Sequence, residues 1–498
     1  MERYYCMIIG DIVNSREIPS NDRYKIQERL KIELEKINFD YDCEICSRFI
    51  ITLGDEFQGG LFSPYHLFDI LKRIKRSIKP YRMRFGIGVG YITTHMKFYD
   101  SFGSDGPAYH LARKGINELK SLKTSEYGYR IYTESEDNLL LNSLCSLIDN
   151  ISSSWTETQK NYVDVVSDYN CELTQIATKL DINISTLSRT LSRANYKFIK
   201  ETIEKMKKYL YNHYAISNKQ GDFIISYNKA CKCYSNGDYI ESIKELSHTN
   251  PISEIDLLNK CILLAMCYTA IGKNLEAVNV VSPILENLNP EYIHKKIRIL
   301  NIIGINCTEL EQLKKAENSF KHAIELVKNI PGTSALEYYT LGNYARLYSK
   351  KEEYKKAEEI YLHLLTETSE IFDCNQINKI KTMSNLGALY TTIGEHYRAY
   401  RILLEALNIA ESFLAENSRT FLVLKLNLAA AIINIPNVED NESLKNKFRQ
   451  FIDDFLDCFE NLNHMPYIEN CYNILMLWEK ITGEKYRIEE CKKLLSLN

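Results

Sequence analysis

The second half of the chain repeats a spacing of small residues, and this repeat constrains the fold more than any other feature of the sequence. In five segments, a small residue is followed twelve positions later by a second small residue. The pairs are Ala230 and Ser242, Ala265 and Ala277, Gly304 and Ala316, Ala345 and Ala357, and Gly387 and Ala399. Small side chains are needed where the two helices of a hairpin touch. The residues from about 220 onward are therefore predicted to form paired helices without strands.

This pattern resembles the tetratricopeptide repeat, which also places a tyrosine three positions after the first small residue, as at Tyr268, Tyr348 and Tyr390. The resemblance implies an all-α solenoid over residues 216–498. A stack of such repeats offers a concave surface, and its expected partner is a protein or a peptide.

Residues 1–150 have a different pattern, in which short apolar runs alternate with amphipathic stretches. This alternation predicts an α/β domain. The predicted strands are Tyr4–Ile9, Glu44–Leu53, Phe57–Phe62, Arg82–Thr93 and Tyr129–Tyr132. Helices are predicted near Asp22–Ile37, Pro64–Ile78 and Pro107–Leu122.

Two carboxylates stand at the ends of the predicted strands. Asp11 follows the first strand in "IIGDIVNSR", and Asp55 lies in "LGDEF", where Gly54 permits a tight hairpin turn. If the hairpin pairs beside the first strand, Asp11 and Asp55 meet at one end of the sheet. Two carboxylates there would repel each other unless a divalent cation lay between them. The sequence therefore predicts a site for Mg or Mn with a nucleotide.

The same motifs carry a family resemblance. "IIGDIVNSR" looks like the first metal-binding strand of class III nucleotide cyclases, and "LGDEF" resembles the hairpin of diguanylate cyclases. "RFGIGVGYITT" and "GSDGPAYHLARKGI" are similar to the strand and the helix that follow in those enzymes. With a helix-turn-helix behind them, the combined motifs resemble the SatD family over roughly residues 1–200.

The resemblance implies a cyclase-like (ferredoxin-like palm) fold and a set of site residues. It assigns Asp11, Asp55 and Glu56 to metal binding and Arg113 to stabilisation of charge in a transition state. The nucleotide phosphates would lie against Ile12, Val13, Asn14, Ser15 and Gly54. Cyclases complete their site between two copies, so the resemblance also implies a homodimer. Tyr109 stands where cyclases carry an asparagine, which favours nucleotide binding over cyclisation.

Residues 151–215 are predicted to be helical, and "LTQIATKLDINISTLSRTLSRANY" has the layout of a helix-turn-helix. Ile176, Ala177, Leu187 and Leu191 are expected to face inward. The outward face of the second helix carries residue types that contact phosphates and base edges in DNA. The predicted DNA-binding residues are Ser185, Thr186, Ser188, Arg189 and Arg193.

Composition leaves three classes of function open. A net charge of -3 argues against a chain that binds polyanions over its whole surface, so any contact with DNA is expected to be local. The sequence lacks an apolar run of the roughly 18 residues that span a bilayer, which predicts a cytoplasmic protein with no membrane contact. The classes are a metal-dependent nucleotide cyclase, a nucleotide-sensing regulator that contacts DNA, and a peptide-sensing regulator with a catalytically dead N-terminal domain.

Overall fold

The residues that the structure describes form a five-stranded mixed sheet in the N-terminal part of the chain. The computed structural model describes residues 3–92, 106–122, 128–168, 173–216, 222–251, 253–286, 288–330, 334–369, 376–413, 419–459 and 465–496. The strands are β1 (Tyr5–Ile12), β2 (Ile45–Leu53), β3 (Glu56–Leu61), β4 (Met83–Gly90) and β5 (Tyr129–Thr133). Their order is β2-β3-β1-β4-β5, and neighbouring strands are antiparallel except for β4 and β5. The α/β prediction for this region is confirmed.

The predicted end of β1 was wrong. β1 continues to Ile12, beyond the predicted end at Ile9, because Asp11 pairs in register with Glu56 on one side and Arg84 on the other. β4 ends at Gly90, and the predicted end at Thr93 lies outside the described residues. Gly10 and Asp11, which resemble the start of a loop in the sequence, are therefore part of the hydrogen-bonded ladder.

Helices cover both faces of the sheet. They are α1 (Ser20–Asp40), α2 (Leu67–Ser77) and α3 (Pro107–Ser121). Cys6 and Ile8 of β1 belong to the core with α1 and α2, whereas Met7 and Ile9 pack with α3 on the opposite face. A strand that is buried on both faces needs an almost continuous apolar run, and this requirement explains "YYCMIIG".

Glycines in β4 allow α3 to lie directly on the sheet. A Cβ atom on Gly86 would lie 2.1 Å from the carbonyl oxygen of Ala112, and one on Gly88 would lie 2.0 Å from that of Ala108. No side chain fits at either position while α3 keeps its place. The "GIGVG" motif therefore sets the short distance between α3 and the sheet.

Five helices follow the sheet: α4 (Asn138–Ser153), α5 (Glu157–Asp168), α6 (Leu173–Lys179), α7 (Ile184–Arg193) and α8 (Tyr196–Leu210). Ile176 and Ala177 of α6 and Leu187 and Leu191 of α7 are buried in one small core, as predicted. Asp181 has a left-handed backbone with φ 50° in the turn between these two helices, and Asn183 caps α7 by accepting a hydrogen bond from the Ser185 N–H. α6 and α7 thus form a tight helical hairpin beside α5.

The rest of the described chain is helical and is organised in seven consecutive pairs. They are α9 (Asp222–Ser235) with α10 (Tyr239–Ser247), α11 (Glu254–Ala270) with α12 (Asn274–Leu285), α13 (Ile293–Glu309) with α14 (Leu313–Lys328), α15 (Ser334–Lys350) with α16 (Tyr354–Ser369), α17 (Gln376–Thr392) with α18 (His396–Phe413), α19 (Arg419–Ile433) with α20 (Glu442–Phe459), and α21 (Met465–Thr482) with α22 (Ile488–Ser496). None of the described helices combines the length and the apolarity needed to cross a membrane.

The small residues lie where the helices of a pair touch. The Ser242 hydroxyl donates a hydrogen bond to the Ala230 carbonyl across the first pair, at 2.9 Å. A Cβ atom on Gly304 would lie 2.6 Å from the Phe320 ring, and one on Gly387 would lie 2.4 Å from Leu403. The predicted helical repeats are confirmed. Their small residues lie where the two helices of a pair touch, as the spacing indicated.

In the first five pairs the second helix packs against the first helix of the next pair, and the first helices of neighbouring pairs also contact one another. This contact runs through the described chain from α9 to α21, whereas the second helices of neighbouring pairs make no comparable contacts. The first helices therefore line the inner, concave side of the solenoid, and the second helices lie on its outer side.

The sheet domain is docked on the concave side of the first four pairs. Arg3 forms a buried ion pair with Asp256 of α11, at 2.6 Å. The loop after α1 contributes Asp42, whose Oδ2 lies 2.9 Å from Lys295 Nζ of α13. The Phe39 ring packs against Tyr339 of α15, with 4.9 Å between the ring centroids. Charged and aromatic contacts thus hold the sheet domain against the solenoid.

Candidate functional site

Three charged side chains form a row across the centre of the sheet. Glu56 of β3, Asp11 of β1 and Arg84 of β4 are register partners, so their side chains project from the same face, toward α3. Asp11 and Glu56 are both 5% exposed. Like charges directly opposite each other in neighbouring strands are destabilising, and this row therefore needs cations.

Helix α3 supplies two of these cations. Arg113 donates two hydrogen bonds to the Glu56 carboxylate, at 2.8 and 2.9 Å. Lys120 Nζ lies 3.0 Å from Asp11 Oδ1 and 3.5 Å from Glu56 Oε2. Arg84 Nη1 lies 3.5 Å from Asp11 Oδ2 on the other side. These five side chains are called the charged cluster below.

The hairpin brings Asp55 beside the charged cluster. The turn between β2 and β3 lies at Gly54 and Asp55, as predicted, with Gly54 at φ 56°. Burial raises the pKa of Asp11, the Lys120 charge opposes this rise, and the nearby Asp55 charge adds to it. The register partner of Asp11 is Glu56, whereas Asp55 lies at the turn and accepts a hydrogen bond from the Ser15 hydroxyl. The three predicted metal-binding carboxylates therefore lie in one region.

The loop after β1 is the predicted phosphate-binding segment. The Ile12 N–H donates to the Asp55 carbonyl at 3.2 Å, and the Val13 N–H donates to the Arg82 carbonyl at 2.9 Å. Asn14 has a left-handed backbone with φ 53°. The N–H groups of Ile12 and Val13 thus make backbone hydrogen bonds within the fold. The assignment of Ile12, Val13, Asn14, Ser15 and Gly54 to phosphate binding stays a prediction.

The predicted DNA-binding residues share one exposed face of α7. All five are exposed: Ser185, Thr186, Ser188, Arg189 and Arg193. The Ser185 hydroxyl donates to the Asn183 side chain at 3.0 Å, which ties it to the helix cap. The geometry thus presents two arginines and three hydroxyl groups on the side of α7 opposite Leu187 and Leu191.

Sequence reasoning missed Lys120 and the role of Arg84 in the charged cluster. Lys120 follows Arg113 by seven residues, which places both on the same face of a helix. Arg84 stands two residues before Gly86, and the period of two along a strand places both on the face that α3 covers. Within the part of the chain that the structure describes, no group of three or more His, Cys, Asp or Glu side chains is arranged to hold a metal ion.

These features define a multi-domain protein with a charged site on an α/β sheet and an α-helical repeat array. The SatD family model matches residues 5–210. A tetratricopeptide repeat model matches residues 336–412. The chain therefore contains a SatD family domain followed by tetratricopeptide-type repeats, and both predicted resemblances are confirmed.

Solved structures show partial similarity to the chain. NprR in complex with its cognate peptide NprX is 17% identical, with a TM-score of 0.44 over 65% of this chain and 89% of that chain. A Rap protein complexed with Competence and Sporulation Factor is 13% identical, with a TM-score of 0.41 over 71% of this chain and 99% of that chain. Aspartyl phosphate phosphatase F from Bacillus subtilis is 11% identical, with a TM-score of 0.40 over 78% of this chain and 89% of that chain. No curated protein matches the chain.

Proposed function

We propose that the chain is a regulatory protein whose SatD family domain binds a nucleotide together with Mg or Mn. In this proposal the α6–α7 hairpin contacts DNA, and the repeat array binds a peptide or protein partner. The observation that carries the proposal is the charged cluster, in which buried carboxylates and cations from three strands and α3 face one another. In this proposal a divalent ion takes the place of Arg113 and Lys120 beside the carboxylates, and the two released cations bind the phosphates.

The donor types are those of a metal–nucleotide site, although among the described residues they do not form a preformed group of three metal-binding side chains. Mg²⁺ is commonly held by one or two carboxylates together with phosphate oxygens, and Asp11, Asp55 and Glu56 supply hard oxygen ligands. Arg113 and Lys120 are the cations that phosphates would attract, since their side chains are 43% and 39% exposed. The strand order β2-β3-β1-β4 also supports the proposal, because a ferredoxin-like palm arranges its split βαβ units in this way.

Nucleotide binding is expected to depend on Asp11 and on the divalent ion. In titration calorimetry with ATP or GTP and Mn²⁺, Asp11→Asn should weaken binding about tenfold or more, because a charge-assisted contact is lost. EDTA should abolish the binding by the unaltered chain. Asp440→Asn, at an exposed aspartate in the solenoid, is the matched control. Equal affinities for Asp11→Asn and the unaltered chain would contradict the site.

Catalysis at the same site is the alternative, in which the domain acts as a nucleotide cyclase or nucleotidyltransferase. Arg113 is the residue that would stabilise developing charge, although in this structure it is bonded to Glu56. Chromatography of the same mixtures after incubation would detect cyclic or oligomeric products. If the unaltered chain forms such products and Asp11→Asn does not, the domain is an enzyme. If the chain binds nucleotide without forming a product, the nucleotide-sensing regulator is favoured.

Contact with DNA is expected to depend on the exposed face of α7. The double variant Arg189→Ala/Arg193→Ala should weaken binding to duplex DNA and lower the slope of log K against log salt by about 2, because two phosphate contacts are lost. Fluorescence anisotropy across a salt series measures both quantities. Lys314→Ala/Lys315→Ala removes the same charge from an exposed part of the solenoid. An unchanged slope in the α7 variant, or equal slopes in both variants, would exclude this face.

The docking of the sheet domain on the repeat array supports a regulatory role. Because the sheet domain lies on the concave side of the first four pairs, a peptide or protein on that side changes the surroundings of the sheet domain. A partner that binds only one arrangement of the two parts would shift their equilibrium. The regulator with a catalytically inactive N-terminal domain would use the same coupling without nucleotide turnover.

A further inference from the structure

A cavity of about 1470 Å³ lies between the sheet domain and the helices that follow it. α2 and the segment from Pro80 to Met83 form one wall, and α5 and α8 form the other wall. The volume exceeds the roughly 300–1,000 Å³ that is typical of small-molecule sites. The cavity therefore has room for a ligand that contacts both walls.

The lining of this cavity is cationic. Eight lysine and arginine side chains line it against five aspartate and glutamate side chains, so cations exceed anions by three. Three of the carboxylates are paired with lysines of the same lining: Asp164 with Lys79, Glu157 with Lys160, and Asp69 with Lys207. The excess of positive charge favours an anionic ligand.

Lys75 is the available cation on the α2 wall. Lys72, Lys75 and Lys79 follow one another at helical spacing and line the cavity together. The outer two hold α5, since Lys72 donates to the Ser167 carbonyl and Lys79 pairs with Asp164. Lys75 is partly exposed and forms no ion pair among the described residues, and its Nζ lies 3.9 Å from the centroid of the Tyr129 ring. Its ammonium group therefore keeps donors for a ligand.

Lys200 is the corresponding cation on the α8 wall. Its side chain is exposed, lines the cavity and forms no ion pair within the described part of the chain. Tyr196 precedes it by one helical turn and is partly exposed in the same lining, as Tyr81 is on the wall of Lys75. Each wall thus combines an accessible lysine with an accessible aromatic ring.

We infer that this cavity binds a dinucleotide, with one phosphate against Lys75 and the other against Lys200. Nucleobases stack on aromatic side chains with little dependence on the base, and lysines follow the phosphates. Two phosphates match the excess of cations better than one carboxylate does. The inference is independent of the charged cluster, because α2 covers the opposite face of the sheet from α3.

The ligand would hold α5 and α8 against the sheet domain. A ligand that bridges two docked bodies stabilises their docked arrangement, because it binds that arrangement and not the separated one. α5 shares its small core with the α6–α7 hairpin, where Val163 packs with Leu187. The cavity is therefore placed to couple a dinucleotide to the position of this hairpin.

The test uses the full chain in EDTA, with the 5′-phosphorylated dinucleotides pApA and pGpG and the cyclic forms of both as probes. At least one should change the fluorescence of Trp155, which lines the cavity, in a saturable way. Trp478 is fully buried in the last helical pair, so Trp478→Phe should keep the response and Trp155→Phe should abolish it. ATP and GTP, which reach only one wall, should give no response in EDTA.

Titration calorimetry should show an affinity about tenfold or more lower in Lys75→Met, because a charge-assisted contact is lost while the aliphatic stem is kept. Lys205→Met is the matched control, since Lys205 is an exposed lysine of α8 outside the cavity lining, and it should leave the affinity unchanged. If circular dichroism shows that Lys75→Met is unfolded, Lys200→Met decides the test with the same expected loss.

The inference is overturned if no dinucleotide binds in EDTA, or if the lysine variants of the cavity bind as tightly as Lys205→Met. A single-stranded oligonucleotide that binds through Lys75 more tightly than every dinucleotide would also overturn it, in favour of a nucleic-acid groove. Dinucleotide binding that is unchanged in Asp11→Asn supports the inference, and it does so whether or not the charged cluster binds a metal–nucleotide complex.

Discussion

Lys295→Met is expected to lower the free energy of unfolding by about 3–5 kcal/mol, because it removes the cation that forms a buried ion pair with Asp42. The Lys295 side chain is fully buried, and its Nζ also donates to the Asp42 carbonyl at 2.7 Å. Urea denaturation monitored by circular dichroism would measure the loss. Limited proteolysis should show faster cleavage between the sheet domain and the solenoid.

The controls separate the ion pair from the loss of a lysine. Lys296→Met changes the neighbouring, partly exposed residue and should alter stability by less than about 0.5 kcal/mol. Asp42→Asn combined with Lys295→Met should recover part of the loss, because neither charge is then left alone. A loss in Lys296→Met equal to that in Lys295→Met would contradict the assignment.

The contribution of Asp42 should also depend on pH. Burial alone would raise the pKa of Asp42, but the charges of Lys295 and Arg298 hold it below the ordinary value of 3.8. A lowered folded pKa means that the stabilisation is complete above the unfolded value and is lost as the pH falls through the folded one. The difference in stability between the unaltered chain and Lys295→Met should therefore shrink in acid.

Gly86→Ala is expected to destabilise the sheet domain by about 1–3 kcal/mol, through overpacking beneath α3. The new Cβ atom would lie 2.1 Å from the Ala112 carbonyl oxygen and 2.5 Å from the Ile116 nitrogen. The helix would have to rise from the sheet, and Arg113 and Lys120 would move with it. Denaturation and nucleotide titration should both show the effect.

Gly342→Ala is the matched control, since it makes the same substitution in α15 with the nearest atom 4.0 Å away. Helix propensity there favours alanine by roughly 0.5–1 kcal/mol. The two variants should therefore change stability in opposite directions. If Gly86→Ala is as stable as the unaltered chain and binds nucleotide equally well, α3 is not held as the structure indicates.

The repeat array was predictable because its constraint is local. A small residue and its partner twelve positions later face each other within one hairpin, so sequence spacing alone reveals the contact. The hairpin at Gly54 and Asp55 was predictable for the same reason. The end of β1 was not, because the cations that pair with the buried Asp11 come from β4 and α3.

The docking of the sheet domain was beyond sequence reasoning. Asp42 lies in a polar loop of ordinary composition. Its partner Lys295 lies on α13, whose sequence pattern indicates only the packing of helices. Features that need two distant segments to be placed first leave no periodic signal in either of them.

The two buried ion pairs have a consequence for synthesis of the chain on the ribosome. Arg3 and Asp256 are 253 residues apart in sequence, and so are Asp42 and Lys295. At typical elongation rates the first member of each pair emerges roughly ten to fifty seconds before the second. During that interval the nascent sheet domain exposes two charges without their partners, and its folding is completed only when α11 and α13 have been made.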